Sequence, residues 1–303
     1  MDQILEPAKI DSRKPQLATV VLCLKASADV VGAVRSLLAQ NTPNEVFVIN
    51  SGGGDVGKVL KDAGIKVPFE NYPERMFAGA ARNRGIERTQ APYVAFLASD
   101  CLALEGWVEY RLKRHREGAS AVACAVVNSH PRHLVACAAY IGMFMRRLPG
   151  LPDNLAIRFG ASFDRRLFSK FGLFDETLPT NEDTEFMKRL PPEFQPVWAP
   201  EVQTVHINET LFFALVADQF LRGTRDGRDE RRIFGKPILK IARDVLRQSR
   251  HARRLARVGL NGAERTHVLM SMPILWVALA AKASGVLVSG LFPAPDLRKR
   301  KGQ

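Results

Sequence analysis

Gly79 to Cys101 reads GAARNRGIERTQAPYVAFLASDC. Its small-residue opening carries Arg82 and Asn83, a short helical stretch follows, and the apolar β-run Tyr93 to Leu97 then stops at Asp100. Open α/β sheets bind ligands outside the carboxyl ends of their strands. A carboxylate at the end of an apolar strand is therefore the first candidate for a ligand contact.

The same alternation surrounds this stretch. Leu17 to Leu24 is a continuous apolar, β-branched run, and Val30 to Gln40 carries Val31, Val34, Leu37 and Leu38 at helical spacing. Glu45 to Asn50 predicts another strand, Val56 to Ala63 another helix, and Ile65 to Phe69 a short third strand. Strands alternating with helices of this length call for a parallel sheet covered on both faces. Past Asp100 the pattern predicts a helix from Gly106-Trp107 to Glu117, a strand over Ala119 to Asn128 and a helix over Pro131 to Arg147. Leu155 to Ser162 and Val197 to Val205 read as strands, and Thr184 to Leu190 as a helix.

A chain of 303 residues, 46% hydrophobic and 8% aromatic, can bury a large core and is not a disordered protein. Its formal charge of +13 calls for an anionic partner. The four cysteines, Cys23, Cys101, Cys124 and Cys137, show no paired spacing and fit a reducing compartment. Met1 to Gln16 lacks the apolar run of a secretory signal, so the catalytic part is expected in the cytoplasm. Beyond His206 the composition shifts. Arginines recur from Arg222 to Arg257, Val268 to Phe292 is almost wholly apolar, and Arg298 to Lys301 is a basic tail. Aromatic residues are nearly absent from the arginine-rich segment and it shows no nucleic-acid reader motif. A polybasic segment beside a long apolar one suits the anionic inner face of a cell membrane, with the apolar stretch spanning the bilayer or lying on it.

Several residues could carry chemistry. The loop Gly52-Gly53-Gly54-Asp55-Val56-Gly57-Lys58 satisfies both GxGxxG and GxxxxGK by letter. Val59 stands where a phosphate loop needs a hydroxyl for magnesium, and Asp55 places a carboxylate where a pyrophosphate would sit. Arg82 could clamp a diphosphate or a base with its planar fork, or be an ordinary helix-surface arginine. Asp100 could hold a divalent cation, for which one or two carboxylates plus phosphate oxygens suffice, or cap a turn. Glu182-Asp183 opens a helix, where negative charge is favourable in itself, and Asp183 could also serve as a general base. His206 could ligate a metal or be a hydrogen-bonded structural residue. His130 and His133 have no acidic or cysteine companion nearby.

In this order the pieces resemble family 2 glycosyltransferases of the GT-A fold, over Leu17 to Gly223. Ser36 to Gln40 matches the end of the family's first helix, and Asn50 to Asp55 its acidic DDGSxD-type loop. Gly79 to Gly85 matches a GxARNxG segment, and Phe96 to Cys101 the strand ending in a DxD metal motif. Gly172 to Glu176 resembles a GGFDE-type turn, Glu182-Asp183 the ED motif, and His206 with Gln219 to Gly223 a histidine followed by a QxxRG-like helix. Three positions depart from the pattern: Leu22 to Lys25 replaces PxYN, Asn50 and Ser51 replace base-binding aspartates, and Ala98 replaces the first DxD aspartate.

The resemblance implies a Rossmann-like mixed sheet flanked by helices, with a helical C-terminal extension. It implies donor contacts from Asn50, Ser51, Asp55, Arg82, Asn83 and Ser99, a manganese or magnesium ion on Asp100 and His206, and catalysis by Asp183 with Glu182. The implied reaction moves a sugar, with inversion, from a nucleoside diphosphate sugar to a glycan or lipid-linked acceptor in cell-surface polysaccharide or glycolipid synthesis. The expected organisation is a tail (1–16), a glycosyltransferase domain (17–206), a basic helical segment (207–262) and a membrane-associating end (263–303). Two rival readings stay open: a catalytically degenerate nucleotide-sugar-binding or scaffold protein on this fold, and a nucleotide-binding oxidoreductase built on the glycine loop.

Overall fold

The computed structural model describes residues 14–291. They form two compact units: residues up to Val127 with Pro152–His206, and Asn128–Leu151 with the residues from Ile207 on.

The first unit opens with β1 (Leu17–Leu24), α1 (Val30–Leu38), β2 (Asn44–Ser51), α2 (Val56–Asp62) and β3 (Phe69–Tyr72). It continues with α3 (Ala78–Arg88), β4 (Tyr93–Ala98), β5 (Cys101–Ala103), α4 (Trp107–Arg116) and β6 (Ala121–Asn128). α5 (Leu134–Phe144) belongs to the second unit; β7 (Ser162–Asp164), α6 (Arg166–Phe171), α7 (Glu182–Arg189) and β8 (Val197–His206) return to the first. The sheet has eight strands in the order β3-β2-β1-β4-β7-β6-β8-β5. β1 to β4 pair in parallel, as the alternation of apolar runs and amphipathic helices requires, whereas β4–β7, β6–β7 and β5–β8 are antiparallel. One face of β1, β2 and β4 packs with α1, α2 and α4, where Leu17, Val21, Val30, Val34, Val48, Leu97 and Trp107 are buried. The other carries Val20, Ile49, Val94 and a phenylalanine group, Phe163, Phe168, Phe174 and Phe186.

Several expectations are corrected. The third strand begins only at Phe69, because Lys66 and Pro68 interrupt the run from Ile65. Residues 155–161 are not a strand; β7 starts at Ser162, since the chain before it turns through Gly160 at φ +64°. Arg82 and Asn83 lie inside α3 and not ahead of it, because Phe77 is the extended cap and the small residues from Ala78 already wind into helix. β5 has no counterpart in the expected elements. The apolar stretch from Val268 is interrupted at Ser271, which separates α10 (Gly262–Met270) from α11 (Met272–Ser289). Phe292, the basic tail from Arg298 to Lys301 and the first thirteen residues lie outside the described residues.

Two arginines, one buried and one half-buried, fasten elements of the first unit together. Arg111 is fully buried over the Trp107 ring and donates to the carbonyls of Val122 and Gly160, at 2.8 and 2.9 Å. Arg165 donates to the carbonyls of Ile86 and Ala91 and to Thr89 Oγ1, fastening the end of α3 to β7.

His115 is buried and stacked on Tyr93 at 4.1 Å. Nδ1 donates to the Ala119 carbonyl at 2.7 Å, so Nε2 accepts from the Ser162 hydroxyl at 2.8 Å. Burial pushes this imidazole down from 6.5 to about 4; the Ala119 hydrogen bond and the more distant Asp164 oppose the shift, and Arg111 adds to it. The unfolded chain takes up this proton near pH 6.5 and the folded one only near pH 4. Stability is therefore complete above about 6.5 and falls as pH drops toward 4, by about 3 kcal/mol in all. Urea midpoints measured across that window are expected to show this slope in the wild type and a flatter one in His115→Gln; equal slopes would contradict it.

The second unit is helical: α5, α8 (Phe212–Phe234), α9 (Ile238–Gly259), α10 and α11. α5 is apolar all round and buries Ala136 to Ile141 in one run. That composition seats it inside this helical unit, although it interrupts the first unit in sequence. α8 and α11 meet at small residues, since a Cβ on Gly223 would strike the Lys282 carbonyl and one on Gly285 the Phe220 carbonyl. Lys282 pairs with Asp226 at 2.9 Å in the same contact.

Candidate active site

The end of β4 and the last residue of β8 meet through β5. Cys101 lies directly opposite His206 in the antiparallel β5–β8 pair, and Asp100 is the turn residue just before it. His206 Nε2 lies 3.5 Å from Asp100 Oδ2, and the Cys101 thiol donates to Asp100 Oδ1 at 3.5 Å. One donor atom from each of the three residues falls within 4.8 Å of the others. Burial works against the Asp100 charge, but the hydrogen bond and charge of His206, with the Cys101 thiol, outweigh it and hold the carboxyl below its usual range. A carboxylate and an imidazole held this way suit a divalent transition metal that completes its shell with phosphate oxygens. Ala98, at the exposed end of β4, contributes no ligand.

Arg82 and Glu182 form the second feature. Their side chains pair at 2.6 Å, with Glu182 almost fully buried. The guanidinium lies over the rings of Phe96 and Phe174, 5.4 and 5.3 Å from their centroids, and its Nε is buried without an acceptor among the described residues. Glu182 therefore orients Arg82 and is not itself presented to a substrate. Asn83 is also internal: it donates to the Phe174 carbonyl and Glu176 and accepts from the Phe174 amide, which locks the Gly172 to Glu176 turn onto α3. Gly79 belongs to the same joint, because a Cβ there would lie 2.6 Å from the Asp175 carbonyl.

Asp183 does what its neighbour does not. Asn181, left-handed at φ +66°, turns the chain into α7. Asp183 then accepts from the Thr184 amide at 2.7 Å and lines a cleft with Arg82, Phe96, Arg158, Gly160 and Met187. A carboxylate with two arginines at its cleft can take a proton from a hydroxyl whose reaction partner is anionic.

The glycine loop is occupied by its own chain. Gly52 N–H donates to the Glu74 carbonyl and Gly53 N–H to the Tyr72 carbonyl. Val56 N–H donates to Asn71 and Gly57 N–H to Asp55. Those amides do not face a phosphate, which removes the physical basis of the dinucleotide and phosphate-loop readings. Asp55 is the N-cap of α2, and Asn50, fully buried, accepts from Ala26 N–H and donates to the carbonyls of Gly53 and Gly54 and to Asn71. Asn50 thus shapes the loop. Ser51 ends β2, and Ser99 follows β4 with its amide on the Leu22 carbonyl. Both lie at the carboxyl ends of the parallel strands, where the sheet presents ligands.

Sequence reasoning did not single out Cys101, Arg158 or Glu176 for the site. The adjacency of Cys101 to Asp100 was visible, but only the strand pairing brings His206 to it.

Residues 19–168 match the family model described as glycosyl transferase family 2. This stretch belongs to glycosyl transferase family 2. Among solved structures, the chain is similar to a mannosyltransferase from Pyrobaculum calidifontis in complex with GDP-Man and Mn2+, at 15% identity and a TM-score of 0.59, covering 92% of this chain and 88% of that one. It is also similar to S. aureus TarS 1-349 in complex with UDP, at 12% identity and a TM-score of 0.50, covering 95% and 92%. None of the curated proteins matches the chain. The chain shares the GT-A fold of these structures, with a helical C-terminal region.

Proposed function

We propose that this family 2 glycosyltransferase transfers a sugar from a nucleoside diphosphate sugar to an acceptor hydroxyl with inversion. The observation that carries the reading is the division of labour in α7: Glu182 is buried on Arg82, while Asp183 lines the cleft. One carboxylate open to the cleft suits a single displacement. The acceptor oxygen bonds to the anomeric carbon as the bond from that carbon to the diphosphate breaks, and the acceptor proton passes to Asp183. Arg82, and Arg158 across the cleft, stabilise the charge gathering on the departing diphosphate. Asp100 and His206 would hold the divalent cation, whose Lewis acidity supplies further neutralisation of that diphosphate.

Donor binding tests this directly. In a thermal-shift panel of uridine and guanosine diphosphate sugars, one nucleotide is expected to raise Tm, more so with Mn2+ and less so in Asp100→Ala. No shift with any donor would count against the proposal, and a shift with a nicotinamide dinucleotide alone would favour the oxidoreductase.

The acceptor we propose is assembled at a membrane, a lipid-linked or cell-surface glycan, with the enzyme attached to the anionic cytoplasmic face through its helical unit. In support, α11 is long and apolar enough to cross a membrane, yet one side is buried in the helical unit. Its other side exposes Trp276, Ala280, Ser284 and Leu287, which recur every three or four residues and so form one stripe, apolar apart from the small Ser284. Phe213 on α8 and Leu239 on α9 are 83% and 73% exposed, and α9 exposes Arg243, Arg247, Arg250, Arg254 and Arg257. Exposed apolar side chains beside arginines suit docking at a headgroup boundary better than a lone span. The full chain is expected to float with vesicles containing anionic lipid at low salt, and Trp276→Glu to stay at the bottom of the gradient; a wild type that fails to float would overturn the attachment.

A further inference from the structure

We infer that Cys101 is a third protein ligand of the cation, a thiolate beside Asp100 and His206, so that the site prefers Zn2+ or Co2+ over Mg2+ or Mn2+. The inference rests on the glycosyl-transfer reading for what the cation does, and on the β5–β8 pairing for how it is held.

Residues directly opposite in an antiparallel pair place their side chains on the same face of the sheet. Cys101 and His206 are such a pair. Asp100, in the turn between β4 and β5, brings its carboxylate to both, one oxygen 3.5 Å from the Cys101 sulfur and the other 3.5 Å from the His206 Nε2. A tetrahedral ion with bonds of about 2.0 to 2.3 Å holds its ligands about 3.3 to 3.6 Å apart. The neighbouring donors thus already stand near ligand spacing.

Charge points the same way. With alanine at position 98, Asp100 is the one carboxylate of the three clustered donors. A Cys101 thiolate would add the second negative charge that balances a divalent ion, releasing its proton to solvent on binding. Its surroundings differ from those of the other cysteines. Cys23, Cys124 and Cys137 are buried, and burial pushes the Cys23 and Cys137 thiols up, which keeps them protonated. Cys101 is only partly buried, with one side on the core and the sulfur against a carboxylate. Soft sulfur and borderline imidazole move metal preference away from the hard, oxygen-seeking Mg2+ toward Zn2+ and Co2+. The remaining position of a tetrahedral site stays open for a phosphate oxygen.

The test uses the full chain, freed of metal by a chelator and titrated with Co2+ in the absence of nucleotide. A near-ultraviolet thiolate-to-cobalt charge-transfer band that saturates at one equivalent is expected, and Cys101→Ser should lose it while keeping its far-ultraviolet circular dichroism. By competition, Cys101→Ser is expected to bind Zn2+ at least about tenfold more weakly and Mn2+ within about threefold of wild type. Cobalt binding without the band, a band that survives in Cys101→Ser, or equal losses for Zn2+ and Mn2+ would overturn the inference. Should the variant misfold, the wild-type spectrum decides alone. A cobalt band in a protein that shows no nucleotide-dependent thermal shift would leave the ligand set standing and remove the proposed transfer.

Discussion

Exchange of Asp183 for asparagine is expected to lower kcat by about 10³-fold, inside the range of about 10² to 10⁴ that a positioned general base contributes. The donor Kd should stay within about twofold. Asparagine keeps the shape of the side chain and an oxygen for the Thr184 amide, so the entry to α7 is preserved. What it loses is the capacity to accept the acceptor proton. Steady-state turnover alongside a nucleotide titration separates these effects. A variant with unimpaired kcat would show that the proton goes elsewhere. A variant that no longer binds donor would show that Asp183 organises the cleft and does not act on the acceptor.

The second large effect concerns Glu182. Removing it in Glu182→Ala strands the Arg82 guanidinium between Phe96 and Phe174 with its main anionic partner gone. Breaking a buried ion pair from one side costs about 3 to 5 kcal/mol, because the remaining charge is left uncompensated. Arg82 retains some exposure, 19% of its side chain, which places the expected loss toward the lower end. Replacing both members with apolar residues, Arg82→Met with Glu182→Leu, should recover most of that stability. Because Arg82 is also proposed to face the diphosphate, the double variant should remain weak in donor binding. Denaturant unfolding of the single and double variants measures the first expectation and nucleotide titration the second. A single variant within about 1 kcal/mol of wild type would mean that the pair holds little of the fold together.

The parts of this structure that were legible in the sequence are those set by local pattern. β1, β2 and β4 read directly, because strands buried on both faces are continuous apolar runs, and their alternation with α1 and α2 gave the parallel half of the sheet. The strand-end position of Asp100 followed from the same pattern. β5 did not, since three residues are too few to show a period and its partner, β8, lies about a hundred residues downstream. The run from Leu155 looked like a strand because apolar residues recur in it, yet Gly160 turns the chain just before Ser162.

Adjacent carboxylates pose a different problem. Glu182 and Asp183 stand side by side in the sequence, but successive helix residues point about 100° apart. One turns to Arg82, a hundred residues upstream, and the other to the cleft. Pattern alone does not say which is which. Asn50, Asn83 and Asp55 illustrate the converse: each stands in a stretch where the family resemblance implies donor contacts, and in the structure each spends its side chain on the backbone of a neighbouring turn. Such residues support a site by fixing the loops that carry it.

The most direct measurement on the central claim is the anomeric configuration of the first-formed product, read by proton NMR after incubating the donor that gives the thermal shift with a panel of hydroxyl acceptors. The expected product carries the configuration opposite to that of the donor, is formed by the wild type and is nearly absent with Asp183→Asn. Retention of the donor configuration, or the same background with both proteins across the whole panel, would contradict it.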